Sequence, residues 1–226
     1  VVASTQPAPV VANTVATTEL PPTQEVDKAE VQAKTPEQIA QEKKEKLQRE
    51  LDAKKKKEAL KRLIDANPNQ YSIIFCRTRM ETQEVADFLM QNAYAADALH
   101  GDLSQAQRDT VMKKFRLKNI DILVATDVAA RGLDVNSLTH VIHYSLPDDP
   151  EVFVHRSGRT GRAGSTGICM SIIHSREMYK LKSIERFVQS KFNKLEIPSC
   201  KDVCRKQFHS FMDKLLQTDI SHGEYE

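Results

Sequence analysis

The chain has 226 residues, 40% of them hydrophobic, and a formal net charge of only +2 at pH 7. This length allows one large domain or one medium domain with tails, and the near-neutral charge restricts any nucleic-acid contact to local basic patches. No apolar run approaches the ~20 residues that span a bilayer, so we predict no membrane contact. The four cysteines lack metal-ligand spacing and favour free thiols in a reducing cytoplasm. Because the sequence starts without methionine, we expect a fragment.

The first 66 residues form two segments of different composition. Residues 1–36 are rich in Val, Ala, Thr and Pro without a sustained hydrophobic period, so we predict a disordered tail or linker. Residues 37–66 consist of strong helix formers with many Glu–Lys pairs, so we predict a charged helix that leads into a domain. Between Gln41 and Arg62, ten basic residues outnumber five acidic ones. This helix is either a solvated charged helix or a basic surface for RNA.

Residues 67–196 alternate short apolar runs with amphipathic segments that carry helix-start signals. The predicted strands cover residues 71–75, 95–99, 120–125, 140–145 and 168–173. Capping boxes at Thr78–Glu81 and Ser104–Gln107, and the pair Asp149-Pro150, start three helices. A helix over 175–192 follows the last strand, with an inner face made by Leu181, Ile184 and Val188. This alternation predicts an α/β domain with a parallel sheet flanked by helices, and residues 197–226 predict the start of a C-terminal helical extension.

Polar residues follow the predicted strands at the point where each strand ends. Thr78 follows the first strand, Gly101 the second, and Thr126 the third. In open parallel sheets, ligands bind beyond the carboxyl ends of the strands. The sequence therefore predicts a functional site at this edge.

The segment HRSGRTGRAG, residues 155–164, is suited to binding an anion. It places Arg156, Arg159 and Arg162 among three glycines, and a guanidinium group grips phosphate oxygens bidentately. None of the seven glycines is followed by Lys, so no phosphate-binding loop of the G-x4-G-K-[ST] kind is present. We therefore interpret the arginines as groups presented to a nucleotide that is bound on another domain.

Two segments carry a resemblance to a known family. HRSGRTGRAG and ATDVAARGLD (125–134) resemble motifs VI and V of the DEAD-box ATP-dependent RNA helicases. Residues from about 57 to 200 resemble the second RecA-like domain of bacterial DeaD-type members. The resemblance implies that Arg159 and Arg162 contact the γ-phosphate of ATP as arginine fingers. It also implies nucleotide contacts at the GLD triplet, with Gly132 in it and Asp134 binding the ribose hydroxyls.

The same resemblance assigns the remaining candidate residues. Arg131 and His155 would belong to the network that links ATP to the closed interface between the two domains. IIFCRTR (73–79) and HGDLSQAQRD (100–109) resemble the family's RNA-contacting segments. By resemblance, RNA phosphates would contact the residues Thr78, Arg108 and Thr126, with close backbone approach at Gly101. Other interpretations stay open: an N-cap for Thr78, a solvent salt bridge for Arg108, and a packing histidine for His155.

The function implied by the resemblance is that of the second domain of an ATP-dependent RNA helicase. The family's first RecA-like domain, which would bind ATP and Mg²⁺, has no counterpart in this sequence, so we expect this chain to be inactive alone. The partners would be that first domain and the backbone of RNA, without base-specific contacts. The alternative is a catalytically inactive module that binds RNA or a partner protein.

Overall fold

The structure, a computed structural model, describes residues 35–131, 135, 138–161 and 166–217. Almost all of the predicted tail (1–36) therefore lies outside the described residues. The chain divides into two units, Val1–Lys43 and Lys44–Glu226. In the first unit, the described residues contain the start of a helix, where the Thr35 hydroxyl accepts a hydrogen bond from the Gln38 N–H at 3.4 Å.

The described residues form seven α-helices and one five-stranded sheet. The helices are α1 Pro36–Asp65, α2 Arg79–Gln91, α3 Gln105–Arg116, α4 Asp127–Ala130, α5 Pro150–Ser157, α6 Met178–Val188 and α7 Cys200–Gln217. The strands are β1 Ser72–Cys76, β2 Ala96–Leu99, β3 Ile122–Thr126, β4 His140–His143 and β5 Ile168–Ser171. All strand pairs are parallel, in the order β2-β3-β1-β4-β5. The predicted parallel α/β sheet flanked by helices, as in a RecA-like fold, is confirmed.

The three central strands β1, β3 and β4 are buried along their whole length, because helices cover both faces of the sheet. On one face, Leu60 and Ile64 of α1 pack with Val85 and Leu89 of α2. On the other face, the core includes Val111, Met112 and Phe115 of α3. The end of α1, where Ala59, Leu60 and Ile64 are buried, is thus part of the domain core, whereas its preceding basic turns lie mostly in solvent.

Two of the three predicted helix starts have the expected geometry in full. At α3, Ser104 and Gln107 form the reciprocal capping box. At α5, the Asp149 side chain accepts from the Glu151 N–H and Pro150 stands in the first turn. At α2 the box is incomplete. The Thr78 hydroxyl accepts from the Glu81 N–H at 3.1 Å, but the Glu81 carboxylate accepts from the Arg77 N–H and the Ser145 hydroxyl instead.

Several predicted boundaries are wrong. The fourth and fifth strands end two residues early, at His143 and Ser171. The helix predicted over 175–192 starts with a 3-10 turn, and its α-helical part ends at Val188 because Gln189 adopts a left-handed conformation with φ of 54°. Val188 is 38% exposed, so it does not belong to the inner face, which Ile184 supplies. Helix α4, a single turn after β3, was not predicted.

Candidate functional site

A cleft opens beyond the carboxyl ends of β1, β3 and β4, where the strand order changes direction around β1. Its volume is about 90 Å³. The elements that follow β3 and β4 supply most of its wall, as expected for a ligand site in an open parallel sheet. The cleft is lined by Phe75, Asp127, Ala130, Arg131, Val152, His155, Arg156 and Arg159.

Three of the predicted site residues meet at this cleft. Arg131 is exposed and follows the last residue of α4, and His155 is exposed on α5. Arg159 is half-buried in the turn after α5, where its N–H donates to the carbonyl oxygen of Arg156 at 3.0 Å. The exposure of His155 does not fit the alternative of a packing histidine. Arg131 and Arg159 place two guanidinium groups at one opening, which favours an anionic ligand.

Arg156, which the sequence predicted to be presented to a nucleotide together with Arg159 and Arg162, is instead buried and forms the floor of the cleft. Its side chain is 3% exposed. Its Nε and Nη2 donate to the two carboxylate oxygens of Asp127 at 2.5 and 2.7 Å, and its Nη1 donates to the Ser145 carbonyl at 2.7 Å. The guanidinium carbon lies 5.1 Å from the centre of the Phe75 ring. This buried charge is therefore paired and hydrogen-bonded, as buried charges must be.

His143 supports the floor from below. It is fully buried at the end of β4, and its ring stacks on Phe153 of α5 at 4.2 Å between centroids. Its Nε2 lies 3.3 Å from the Ser157 hydroxyl, whereas its Nδ1 has no hydrogen-bond partner among the described residues. Burial, together with the nearby Arg156 charge, lowers the pKa of His143 from 6.5 to about 3. The ring is therefore neutral at physiological pH.

The residues predicted to contact RNA lie along the same edge of the sheet but outside the cleft. Thr126 is the last residue of β3 and pairs in register with Cys76, two residues before Thr78. Gly101 follows β2, the neighbour of β3 on its other side. Thr78 and Gly101 are exposed, whereas Thr126 is buried. Thr78 fulfils the alternative N-cap role, although its hydroxyl can still donate its own proton to another acceptor.

Arg108 lies half-buried in the first turns of α3, and its N–H donates to the Ser104 carbonyl at 3.0 Å. The loop near Gly101 is tied to α2 by an ion pair between Arg79 and Asp102, both well exposed. The starts of α2 and α3 therefore lie together at the carboxyl edge, and helix starts expose N–H groups that suit phosphate. Gly132, Asp134 and Arg162 lie outside the described residues.

Sequence reasoning did not predict the pairing of Asp127 with Arg156, although both belong to the segments it had singled out. The available signal was the pairing of an aspartate directly after a strand with an arginine beside a histidine, 29 residues apart. Nothing in local periodicity or capping connects two such positions, because the contact depends on the tertiary arrangement of α4 and α5.

The described residues offer no separate metal site and no membrane-spanning helix. No three His, Cys, Asp or Glu side chains come together among them as metal ligands. The four cysteines are free, and burial raises the pKa of the Cys76 thiol well above its usual value. No described helix is long and apolar enough to cross a bilayer.

Comparisons with known proteins agree on one family. The family described as the helicase conserved C-terminal domain matches residues 55–164. The DEAD-box ATP-dependent RNA helicase CshA of Geobacillus kaustophilus is 46% identical over 147 residues, which are 65% of this chain and 32% of that protein. The chain thus spans about a third of the length of the curated relatives it matches.

Two solved structures have the same fold. The Escherichia coli DEAD-box protein SrmB, solved bound to the regulator of ribonuclease activity A, is 30% identical with a TM-score of 0.57, and the match covers 64% of this chain and 91% of that chain. Saccharomyces cerevisiae Dbp5 L327V, solved bound to RNA and ADP BeF3, is 27% identical with a TM-score of 0.60, covering 73% of this chain and 43% of that chain. This chain therefore belongs to the DEAD-box helicase family and contains the C-terminal, RecA-like helicase domain of that family.

Proposed function

We propose that this chain acts as the second domain of an ATP-dependent RNA helicase. In this proposal, ATP and Mg²⁺ are bound by a first RecA-like domain, and the two domains close around the nucleotide while both contact one RNA strand. Closure separates short duplexes locally, and hydrolysis of ATP reopens the domains. A cytoplasmic location, which the free cysteines favour, belongs to the same proposal.

The observation that carries the proposal is the convergence of Arg131, His155 and Arg159 at one cleft beyond the carboxyl edge of the sheet. In phosphoryl transfer, an arginine presented from outside the nucleotide site stabilises the charge that develops on the γ-phosphate. Arg159 takes that role here, together with Arg162. Gly132 and Asp134 complete the nucleotide contacts in the proposal. Arg131 and His155 link the nucleotide to the interface between the two domains.

RNA contact is proposed along the remainder of the same edge. Backbone amides at helix starts, hydroxyl groups and arginine bind phosphate without reading the base. Thr78 and Gly101 are exposed there, and Arg108 lies on the helix that starts beside them. Thr126, although buried, ends the strand that lies between those of Thr78 and Gly101. The structure of Dbp5 with RNA and ADP BeF3 supports the pairing of an RNA strand and a nucleotide in this family.

The experiment that tests the proposal measures RNA-stimulated ATP hydrolysis by this chain alone and after addition of the first domain of a DEAD-box protein. We expect no hydrolysis by the chain alone and RNA-dependent hydrolysis after mixing. Hydrolysis by the unaided chain would contradict the assignment of ATP to a separate domain. If the mixture shows no ATP hydrolysis while the chain binds RNA, the alternative of a catalytically inactive RNA-binding module is favoured.

Substitution of Arg159 by alanine tests the arginine-finger role in the reconstituted mixture. We expect ATP hydrolysis to fall about 10³-fold, the lower end of the range for such arginines, while RNA binding changes little. Arg186→Ala is the matched control, because Arg186 is an exposed arginine on α6 that does not line the cleft. Wild-type turnover by the Arg159→Ala variant would refute the assignment.

The alternative function has one observation in its favour. Residues 41–62 of α1 carry ten basic against five acidic side chains, and Lys54 and Lys55 lie in solvent at the start of a run of four lysines. Such a surface attracts polyanions in a salt-dependent way. RNA binding that is lost when these lysines are substituted, and retained when Thr78 and Arg108 are substituted, would place the RNA on α1 instead of the sheet edge.

A further inference from the structure

The pair formed by Arg156 and Asp127 lies between the residues proposed to contact RNA and the residue proposed to contact ATP. Asp127 directly follows Thr126 at the end of β3, and Arg156 precedes Arg159 by three positions on α5 and the following turn. The two side chains meet through two parallel hydrogen bonds of 2.5 and 2.7 Å. The pair is therefore close along the chain both to a residue proposed to contact RNA and to a residue proposed to contact ATP.

The geometry of Arg156 leaves it little freedom to contact a ligand itself. Its side chain is 3% exposed, and its guanidinium is engaged by Asp127, by the Ser145 carbonyl and by the face of the Phe75 ring. Asp127, in contrast, is 40% exposed and lines the cleft. A bidentate pairing of this kind fixes orientation as well as distance. Movement of Asp127 is thus transmitted to the Arg156 guanidinium, and the pair resists rotation of α4 against α5.

Arg159 is mechanically connected to this pair. Its N–H donates to the carbonyl oxygen of Arg156 at 3.0 Å, so its backbone rests on the residue that Asp127 holds. Asp127 is in turn connected to the end of β3 through the backbone. Thr126 is both the last residue of β3 and the N-cap of α4, and Asp127 is the first residue of α4. A displacement of the end of β3 by a bound RNA phosphate therefore has a direct route of side-chain and backbone contacts to Arg159.

We infer that the Arg156–Asp127 pair is a positioning unit that couples RNA binding at the end of β3 to the placement of Arg159 against ATP. The inference rests on the proposed function. It assigns to Arg156 no contact with ATP or RNA; this arginine acts through Arg159. Its distinctive consequence is that weakening the pair lowers turnover at saturating RNA and ATP, while the affinity for RNA is kept.

The test uses two substitutions that keep each charge, so that the buried partner stays paired. Arg156→Lys removes the bidentate hydrogen bonding to Asp127, and Asp127→Glu moves the carboxylate by the length of one methylene group. Leu60→Ala is the control, because Leu60 is buried among α1 and α2 on the opposite face of the sheet and its loss lowers stability without touching the cleft. Each full-length chain is mixed with the first domain of a DEAD-box protein, and thermal unfolding, kcat and the RNA concentration for half-maximal stimulation are measured.

We expect each cleft variant, at a temperature where it is folded, to lose at least tenfold in kcat while the half-maximal RNA concentration stays within twofold. The double variant should be no slower than the slower single variant, because both changes break one unit. Leu60→Ala should keep kcat within twofold despite a lower melting temperature.

Three results would overturn the inference. In the first, kcat stays within twofold in both cleft variants, which makes the pair purely structural. In the second, the half-maximal RNA concentration rises tenfold with kcat unchanged, which makes the pair an RNA-affinity element. In the third, the losses multiply in the double variant. Failure of the proposed function is separate: the wild-type mixture would then show no RNA-stimulated hydrolysis, or Arg159→Ala would be fully active.

Discussion

The buried histidine beneath the cleft makes the stability of this domain depend on pH in a calculable way. His143 has a pKa of about 3 in the folded chain against 6.5 in a model peptide, because burial disfavours its charged form. The unfolded chain therefore binds one more proton than the folded chain between these two values. Stability contributed by this residue is complete above pH 6.5 and is lost as the pH falls toward 3. Between pH 7 and pH 5 the expected loss is about 2 kcal/mol.

The assay is urea unfolding of the chain, followed by circular dichroism at pH 7 and pH 5. Other groups contribute to the same trend, because burial also lowers the pKa of His140. The comparison is therefore between the wild type and His143→Phe, which keeps an aromatic ring between Phe75 and Phe153 and cannot be protonated. We expect the pH-dependent loss of unfolding free energy to be smaller by about 2 kcal/mol in this variant.

His209→Gln is the matched control, since His209 is exposed on α7. This variant should keep the full pH dependence of the wild type. The reasoning is refuted if His143→Phe and the wild type lose the same free energy between pH 7 and pH 5. That result would mean that His143 is protonated at similar pH in both states, and so is not enclosed by Phe153 and Arg156 in solution.

Two glycine substitutions separate proposed RNA contact from fold. At Gly101 an added Cβ would approach only the Arg79 Cδ, at 3.7 Å, which is ordinary van der Waals contact. Gly101→Ala should therefore keep the melting temperature while raising the half-maximal RNA concentration about tenfold in the reconstituted ATPase assay. An unchanged half-maximal RNA concentration would remove Gly101 from the RNA site. At Gly167 an added Cβ would lie 2.4 Å from the Gly161 nitrogen and 2.4 Å from the Thr160 Oγ1. Gly167→Ala should therefore lower the free energy of unfolding by about 1–3 kcal/mol, measured by urea unfolding. A change under 0.5 kcal/mol would contradict the close approach of Gly167 to Thr160 and Gly161.

The features that sequence reasoning predicted correctly are those with a local physical cause. Ser104 and Gln107 form a capping box because their spacing alone brings each side chain to the other's backbone. Asp149 and Pro150 start α5 for a similarly local reason. The apolar runs of β1 and β3 indicate buried parallel strands, because runs of this length are too short for a buried helix.

The features that it missed depend on residues far apart in the chain. One exception is the end of α6 at Val188, where Gln189 adopts a left-handed conformation without the glycine that usually marks such an end, so the local sequence carries no signal for it. The Glu81 carboxylate does not complete the capping box, because its two oxygens accept from the Arg77 N–H at 2.8 Å and from the hydroxyl of Ser145, 64 residues away, at 2.7 Å. The burial of His143 was not predicted for the same reason, since its ring stacks on Phe153, which another element supplies.

One arginine-rich segment serves both the fold and the proposed chemistry, and the difference between its arginines follows from the helix that carries them. Arg156 stands in the last turn of α5, which points it into the core, where Asp127 and the Ser145 carbonyl compensate its charge. Arg159 follows the helix end and lies half-buried at the cleft. Loss of the Arg156 side chain leaves the partly buried Asp127 carboxylate without its partner. Alanine at Arg156 should therefore lower the melting temperature of the domain, measured by thermal unfolding. An unchanged melting temperature would contradict the role of this pair in the fold.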